Sequence, residues 1–432
     1  MSGAASVLAL LFLAAFAAAS RADEPPPFDM RSVDSVLANR SAALDSLLMP
    51  ESIALDTAGV DSIAMLLDAG GFAAARAHTP EWRGPRGARI SLHPLAHSTY
   101  NRVEGFRAGA GMGAELARSL ALDGFAGYET SNHRWVGGAG LSLGRKTRGP
   151  ALRVEGGVDV VPFGSEPQRA NAALALVAGQ DRADYLETRG GRVTIWPRRS
   201  RGSQIALAYF DREERSVPAA TDFSLLDGGD PIEAPNPAID EGRTRDVSIR
   251  SDVTARSGVV TLGGEAGVAG GGLGGDFGYS WQRARLALRP ILPGGGVLTL
   301  AVEGAHAGGS PPAQSGPHLG GDANLRGYDR LQFAGRSRAS ARVEYAEGPD
   351  LIPALHVRFI PFVDVGTTWG EAAGVARARG GLDGAIRSSF GLGIERRVWI
   401  PTIESARLDI IHRNDGAGDP WSVWFRLEGL EW

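Results

Sequence analysis

From about residue 87 onward the chain alternates. Short segments with an apolar residue at every second position are separated by clusters of Gly, Pro, Asp and Asn, the pattern of strands joined by turns. Candidate strands fall near residues 88–93, 104–113, 117–128, 134–144, 151–160, 190–197, 203–211, 245–253, 258–268, 276–289, 295–304, 337–346, 355–365, 386–397, 404–412 and 420–432. That is about sixteen, and an even number is what a bacterial transmembrane barrel uses. Two connections are long. Residues 165–187 include an Ala-rich piece able to form a helix, and residues 212–243 are polar and Pro-rich, suiting an extracellular loop.

The alternation has a consistent direction. In HVRFIPFVDVG, Val357, Phe359, Val363 and Val365 share one face, and His356, Arg358 and Asp364 share the other. In ARVEYAEG, Ala341, Val343 and Tyr345 oppose Arg342 and Glu344. RARLALRP sets Ala284, Leu286 and Leu288 against Arg283, Arg285 and Arg289, and ARLDIIH sets Ala406, Leu408 and Ile410 against Arg407 and Asp409. One apolar and one charged face suit an antiparallel β-barrel with lipid outside and a wet lumen. A soluble sandwich would also alternate, with its polar face outward. In the last segment, DPWSVWFRLEGLEW, Val423, Phe425 and Leu427 oppose Ser422, Trp424, Arg426 and Glu428. Trp432 is out of phase with Phe425 and Leu427, and a bulge at Gly429 would bring it back.

The first 86 residues are different. SVLALLFLAAFAAAS is an apolar run ending in small residues, and Ser20-Arg21-Ala22 offers a cleavage site before Asp23, so residues 1–22 read as an export signal. The usual positive segment ahead of the run is missing, and a membrane anchor is the competing reading, although the run is short for a span. Residues 23–86 carry two stretches with apolar residues at helical spacing, the second ending at Gly70-Gly71. They read as a short, partly helical periplasmic or lumenal segment ahead of a barrel over residues 87–432.

Composition narrows the function. There is no cysteine, so no disulfide framework and no Cys-ligated metal. Net charge is −4, too far from basic to collect nucleic-acid phosphates, and the only lysine is Lys146, so positive charge is carried by arginine. Gly109–Gly113 and Gly270–Gly275 are Gly-rich without the Lys-Ser/Thr or helix of a phosphate loop. The eight histidines lack metal-ligand spacing, and no G-x-S-x-G elbow is present. Glu344 and Glu347 fall on opposite faces of a regular strand, which disfavours a shared acid–base role. No catalytic centre, cofactor or metal is expected.

One stretch breaks the alternation: LGGDANLRGYDRLQFAG, Leu319 to Gly335, too polar and Gly-rich for a strand and long for a hairpin turn. With ARVEYAEG and FVDVGTTWG following in order, it resembles the barrel domain of BamA/TamA-type outer-membrane proteins, the bacterial surface antigen family. YNRVEGFRAGAGMG, Tyr100 to Gly113, looks like a barrel-opening strand of that group. The resemblance implies a long loop folded into the barrel and carrying an Arg-Gly-aromatic motif, here Arg326, Gly327 and Tyr328. It implies that the arginine reaches acidic residues of the inner wall, at positions matching Glu344 and Asp364, which strand parity had independently put on the charged face. A closing strand ending in aromatic and apolar residues, here Phe425, Leu427 and Trp432, resembles the barrel signal of this group.

By the same resemblance the chain is expected in the bacterial outer membrane, inserting or translocating polypeptide or lipid. The mechanism would be opening between the first and last strands, weakened by Gly109, Gly111 and Gly429. Expected partners are outer-membrane lipids including lipopolysaccharide, client polypeptides and a separate periplasmic docking protein. Residues 23–86 are too few for more than one of the family's POTRA units and show no clear strand pattern. The alternative is a passive porin or structural surface antigen with no assembly role.

Overall fold

The computed structural model describes residues 81–83, 88–94, 97–144, 149–164, 171–179, 181, 183–200, 202–221, 223–225, 235–255, 259–346, 357–371, 384–400, 403–415 and 420–428. The strands are β1 (Glu81–Arg83), β2 (Arg89–Pro94), β3 (Thr99–Asn101), β4 (Gly105–Ala117), β5 (Leu120–Glu129), β6 (Arg134–Gly144), β7 (Ala151–Pro162), β8 (Tyr185–Ser200), β9 (Ser203–Ser216), β10 (Gly242–Ala255), β11 (Val260–Ala269), β12 (Tyr279–Leu288), β13 (Val297–Gly309), β14 (His318–Leu319), β15 (Phe333–Ala334), β16 (Ser337–Ala346), β17 (Val357–Trp369), β18 (Arg387–Ile400), β19 (Ile403–Arg413) and β20 (Trp421–Glu428). One helix, α1 (Asn171–Ala178), lies between β7 and β8.

Each long strand pairs antiparallel with the next, from β4 to β13, then β16 to β20. β2 and β3 pair with successive parts of the free edge of β4 and occupy one ladder position. Counted from that position to β20 the wall has sixteen positions, with the three-residue β1 added outside β2. Among the described residues no backbone pairing joins β20 to the first strands.

The two faces separate as the alternation requires. In β17, Ile360, Phe362 and Asp364 are buried while Pro361 and Val363 are exposed. Leu122, Val154, Leu207, Val247, Ile249, Leu286, Val302, Val343, Val363 and Val423 stand exposed on the other face and form the lipid-facing belt. A two-residue turn joins β4 to β5, and another joins β8 to β9. At the opposite end the connections after β7, β9 and β13 are long. Short turns mark the periplasmic end of such barrels and long loops the extracellular end.

Fifteen of the sixteen candidate segments overlap a long strand and the first, 88–93, overlaps the six-residue β2, while α1 falls in the Ala-rich piece of residues 165–187. β1, β3, β14 and β15, two or three residues each, are too short to show a period and were not anticipated. β1 also replaces the end of the segment expected to be partly helical. β8 and β9 run longer than their alternation suggests, because Glu187–Arg189 and Arg212–Arg215 are polar on both faces. The long loop therefore begins after Ser216 rather than at residue 212. Gly109 and Gly111 are not on the barrel edge: β2 and β3 cover that side of β4. The export signal, the two helical stretches, Gly429 and Trp432 lie outside the described residues.

Candidate functional site: the inward loop and its arginine anchor

The β13–β16 connection turns back from the extracellular end into the lumen. Its base is the β14–β15 hairpin, with His318 opposite Ala334 and Leu319 opposite Phe333. The tip holds itself together locally. The Gly321 amide donates to the Tyr328 carbonyl at 3.0 Å and the Leu325 amide to Gly321 at 3.1 Å. The Asn324 carboxamide oxygen accepts from the Gly320 amide at 2.8 Å. Leu319, Leu325, Tyr328 and Phe333 pack together as a small apolar core, so a polar sequence still buries enough to be rigid.

This fold of the tip places Arg326 against the wall, fully buried. Its Nε donates to Asp364 Oδ2 at 2.7 Å and its Nη2 to Asp364 Oδ1 at 2.7 Å, a two-pronged fit of planar guanidinium to carboxylate. Its backbone amide donates to the same carboxylate at 3.1 Å. Nη1 donates to Glu344. The guanidinium carbon lies over Phe362, 3.5 Å from the ring centroid. A buried charge is tolerated only when paired and hydrogen-bonded, and every arm of this one is.

The pairing continues beyond the tip. Arg342 Nε donates to Asp364 at 2.9 Å and its Nη2 to the Asp322 carbonyl at 2.6 Å. Glu344 also accepts from Arg407 at 3.1 Å, Arg407 donates to Asp409 at 2.7 Å, and Arg426 of β20 lies 2.5 Å from Asp409. Four arginines and three carboxylates thus alternate from β16, through the loop, to the last strand. Arg407 crosses in front of β18, where Gly393 leaves room: a Cβ there would lie 2.5 Å from Arg407 Nε. Phe362, Arg342, Arg407, Asp409 and Arg426 were not singled out from sequence. The signal was present in their common inward parity, but parity does not say which inward charges meet.

Gly327 has φ +84°, and a Cβ on it would sit 2.8 Å from Ile411 Cγ2 on the wall. Gly327→Ala is expected to destabilise the folded barrel by about 1–3 kcal/mol through left-handed backbone strain and overpacking. The denaturant midpoint of the heat-modifiable form measures it. Tyr328 is buried, meets Phe333 edge-on with centroids 5.5 Å apart, and donates from its hydroxyl to the Ser388 carbonyl at 3.0 Å. The structure thus brings Arg326, Gly327, Tyr328, Glu344 and Asp364 into one cluster. Phe425 is elsewhere, on the β20 backbone opposite Leu408, and Leu427 is opposite Ala406.

The hairpin base carries a titratable group. His318 Nε2 donates to the Ala313 carbonyl at 2.8 Å. Burial, helped by Arg338 and Arg330, lowers its pKa to about 4. The folded loop therefore prefers neutral histidine and binds fewer protons than the unfolded chain between pH 6.5 and 4. Stability should be full above that window and fall as pH drops through it. Comparing unfolding midpoints of the native chain and His318→Gln from pH 7.5 to 4 isolates this contribution, and the variant should show the shallower decline.

At the extracellular end Arg102 is buried, donating to the Asp181 carbonyl at 2.8 Å and to Asp184 at 2.9 Å. Asn236 bridges the Tyr185 and Val217 carbonyls, each at 2.7 Å, so the connections after β7 and β9 are tied to the β3–β4 turn. Between the wall from β4 to β9, His93 and His97 beside it, and Gln314 of the inward connection, a cavity of about 780 Å³ remains. Among the described residues no group of His, Asp or Glu is arranged to hold a metal.

Neither the family models nor the curated sequences compared with the chain match it. Among solved structures, BamA from Haemophilus ducreyi lacking POTRA domains 1–3 is similar with a TM-score of 0.50 and 12% identity, over 81% of this chain and 73% of that one. CdiB from Acinetobacter baumannii gives a TM-score of 0.40 at 12% identity over 78% and 58% of the two chains. CdiB from Escherichia coli gives 0.43 at 11% identity over 81% and 66%. With the antiparallel wall, its lipid-facing belt and the inward loop, the first of these likenesses shows the fold: the chain is a transmembrane β-barrel of the bacterial outer-membrane kind, with the architecture of a BamA-type barrel.

Proposed function

We propose that this barrel inserts or translocates polypeptide or lipid at the outer membrane. The observation that carries the reading is the seated loop. An extracellular connection is folded into the lumen and fixed there by a fully buried, doubly paired arginine, so part of the lumen is given to an anchored loop rather than left open to diffusion. In this reading the wall between the first strands and β20 is the working edge. An incoming β-segment adds to an exposed strand by backbone hydrogen bonds, and the edge must open to accept it. Clients would be unfolded polypeptides delivered by a separate periplasmic docking protein, with lipopolysaccharide as the surrounding lipid. No step requires a catalytic group.

The cavity along β4–β9 favours the second reading, a passive porin or surface antigen, in one respect: part of the lumen is not filled. Vesicle reconstitution separates the two. Under the assembly reading, purified barrel in vesicles converts an added unfolded outer-membrane protein or secreted passenger into a folded or protease-protected form, and planar-bilayer conductance is low and intermittent. Large, steady conductance with no client conversion supports the pore instead.

A further inference from the structure

The two ends of the barrel carry opposite charge. At the periplasmic end, the turns between β4 and β5, β6 and β7, β8 and β9, β10 and β11, and β12 and β13 together hold seven Arg or Lys residues and no Asp or Glu. The chain's only lysine, Lys146, is one of them. Arg198 and Arg199 add to the group from the end of β8. By contrast the connection after β9, at the extracellular end, holds six Asp or Glu and no Arg or Lys. The periplasmic rim is itself one-sided. Residues 347–356, between β16 and β17, include Glu347 and Asp350 and no Arg or Lys. The basic arc therefore runs from β4 to β13, roughly 40 Å of rim at the usual spacing of strands.

These cations sit at the edge of the hydrocarbon. Exposed Leu116, Leu143, Ile195 and Leu286 lie at the periplasmic end of the lipid-facing belt, and an arginine follows each of them within three residues. The β4–β5 and β8–β9 turns have two residues each, too short to carry a guanidinium far from the bilayer surface. Arg118, Arg198 and Arg289 are exposed, and none of the three pairs with a carboxylate among the described residues. The acidic residues closest to the turns on β4, β5 and β10 are Glu115, Asp123 and Asp252. They share the inward parity of the buried Arg107 and Asp246, so they line the lumen and do not offset the outer arc. Unpaired cations just below an apolar wall fit an anionic lipid. The stems lie along the wall, the guanidinium groups take phosphate oxygens, and the belt takes the acyl chains. Each added cation strengthens the attraction to such a surface. The cations are also strung along the rim rather than gathered in a recess, which suits lipids side by side better than one docked protein.

We propose that this arc binds anionic phospholipid headgroups of the periplasmic leaflet, with Arg118, Arg198 and Arg289 among the phosphate ligands. The turns after β16 and β18 hold no Arg or Lys, so the anionic lipid gathers on the side of the wall away from β20. The binding does not depend on the assembly reading, because a passive barrel could carry it equally.

The test uses the full chain in uncharged detergent, titrated with phosphatidylglycerol and with phosphatidylcholine of the same acyl chains, and bound lipid is counted by native mass spectrometry. Phosphatidylglycerol should bind at least about tenfold more tightly than phosphatidylcholine, and inorganic phosphate should not displace it. Raising the ionic strength from about 0.05 M to about 0.5 M should weaken its retention severalfold, because exposed charges are screened. Arg118→Gln, Arg198→Gln and Arg289→Gln combined should weaken phosphatidylglycerol binding by about tenfold or more and leave phosphatidylcholine binding unchanged. Lysine at the same three positions should keep most of the native binding, because attraction to the surface counts charge. Arg243→Gln, an exposed arginine of the extracellular end, should bind as the native chain does. Heat-modifiable mobility confirms that each variant is folded, and the salt titration of the native chain decides the matter if the triple variant is not. Equal retention of the two lipids, retention indifferent to salt, native binding by the folded triple Gln variant, displacement by inorganic phosphate, or displacement by an acidic protein from an added periplasmic extract would each overturn the proposal.

Discussion

Arg326→Ala is expected to cost the folded barrel about 3–5 kcal/mol, the range for removing one partner of a buried ion pair. The reason is the residue left behind. Asp364 is fully buried, and three of the hydrogen bonds it accepts come from Arg326, two from the guanidinium and one from the backbone amide. Without the guanidinium it keeps Arg342, and Glu344 keeps Arg407, so the wall retains partial compensation while the loop tip loses its anchor. Two signs should appear together. The denaturant midpoint of the heat-modifiable form should fall, and the stretch from Leu319 to Gly335 should become a site of proteolytic cleavage. Arg326→Lys should recover less than half of the loss, because an ammonium has no fork with which to bridge both carboxylates and no planar group to set over Phe362.

Asp364→Ala should be at least as damaging. It leaves Arg326 and Arg342 facing each other with their shared counter-charge gone. Desolvated like charges repel, and both guanidinium groups lose hydrogen bonds that water inside a packed tip cannot fully replace. A loss of about 3–5 kcal/mol is expected here too. The two substitutions should not add. Residues in one network couple, and Arg326→Ala with Asp364→Ala should cost less than the sum of the singles by about 1–3 kcal/mol. Additivity within about 0.5 kcal/mol in that double-mutant cycle would show that the pair is not energetically linked. A parallel cycle between Arg326 and Arg426 asks whether the network reaches the last strand, as the Arg407–Asp409–Arg426 chain of contacts implies.

The wall was legible because its chemistry repeats. A barrel strand sees lipid on one side and water on the other, so period two is imposed on every long strand, and sixteen segments could be placed from it. Where that constraint relaxes, legibility ends. Glu187–Arg189 and Arg212–Arg215 extend β8 and β9 beyond the hydrocarbon, where both faces are wet and alternation disappears. β14 and β15 are two residues each, held by tertiary packing of Leu319 and Phe333 rather than by any periodic pattern. The site was half legible. Parity sent Glu344 and Asp364 inward, and the loop's polarity marked it as unlike its neighbours. That Arg326 meets both depends on how the tip turns, which is decided by Asn324, Gly327 and backbone bonds that no spacing rule reports. The reach of Arg407 across β18 depends on a missing side chain at Gly393, visible only once the strands are in register.

Depletion of the protein in its own cell, with rescue by the native chain or by Arg326→Ala, tests the assembly reading most directly. The outer-membrane and secreted proteomes should lose a defined subset of polypeptides on depletion. The native chain should restore that subset, and a folded, membrane-inserted Arg326→Ala barrel should not. An unchanged proteome after complete depletion, or full restoration by Arg326→Ala, would contradict it.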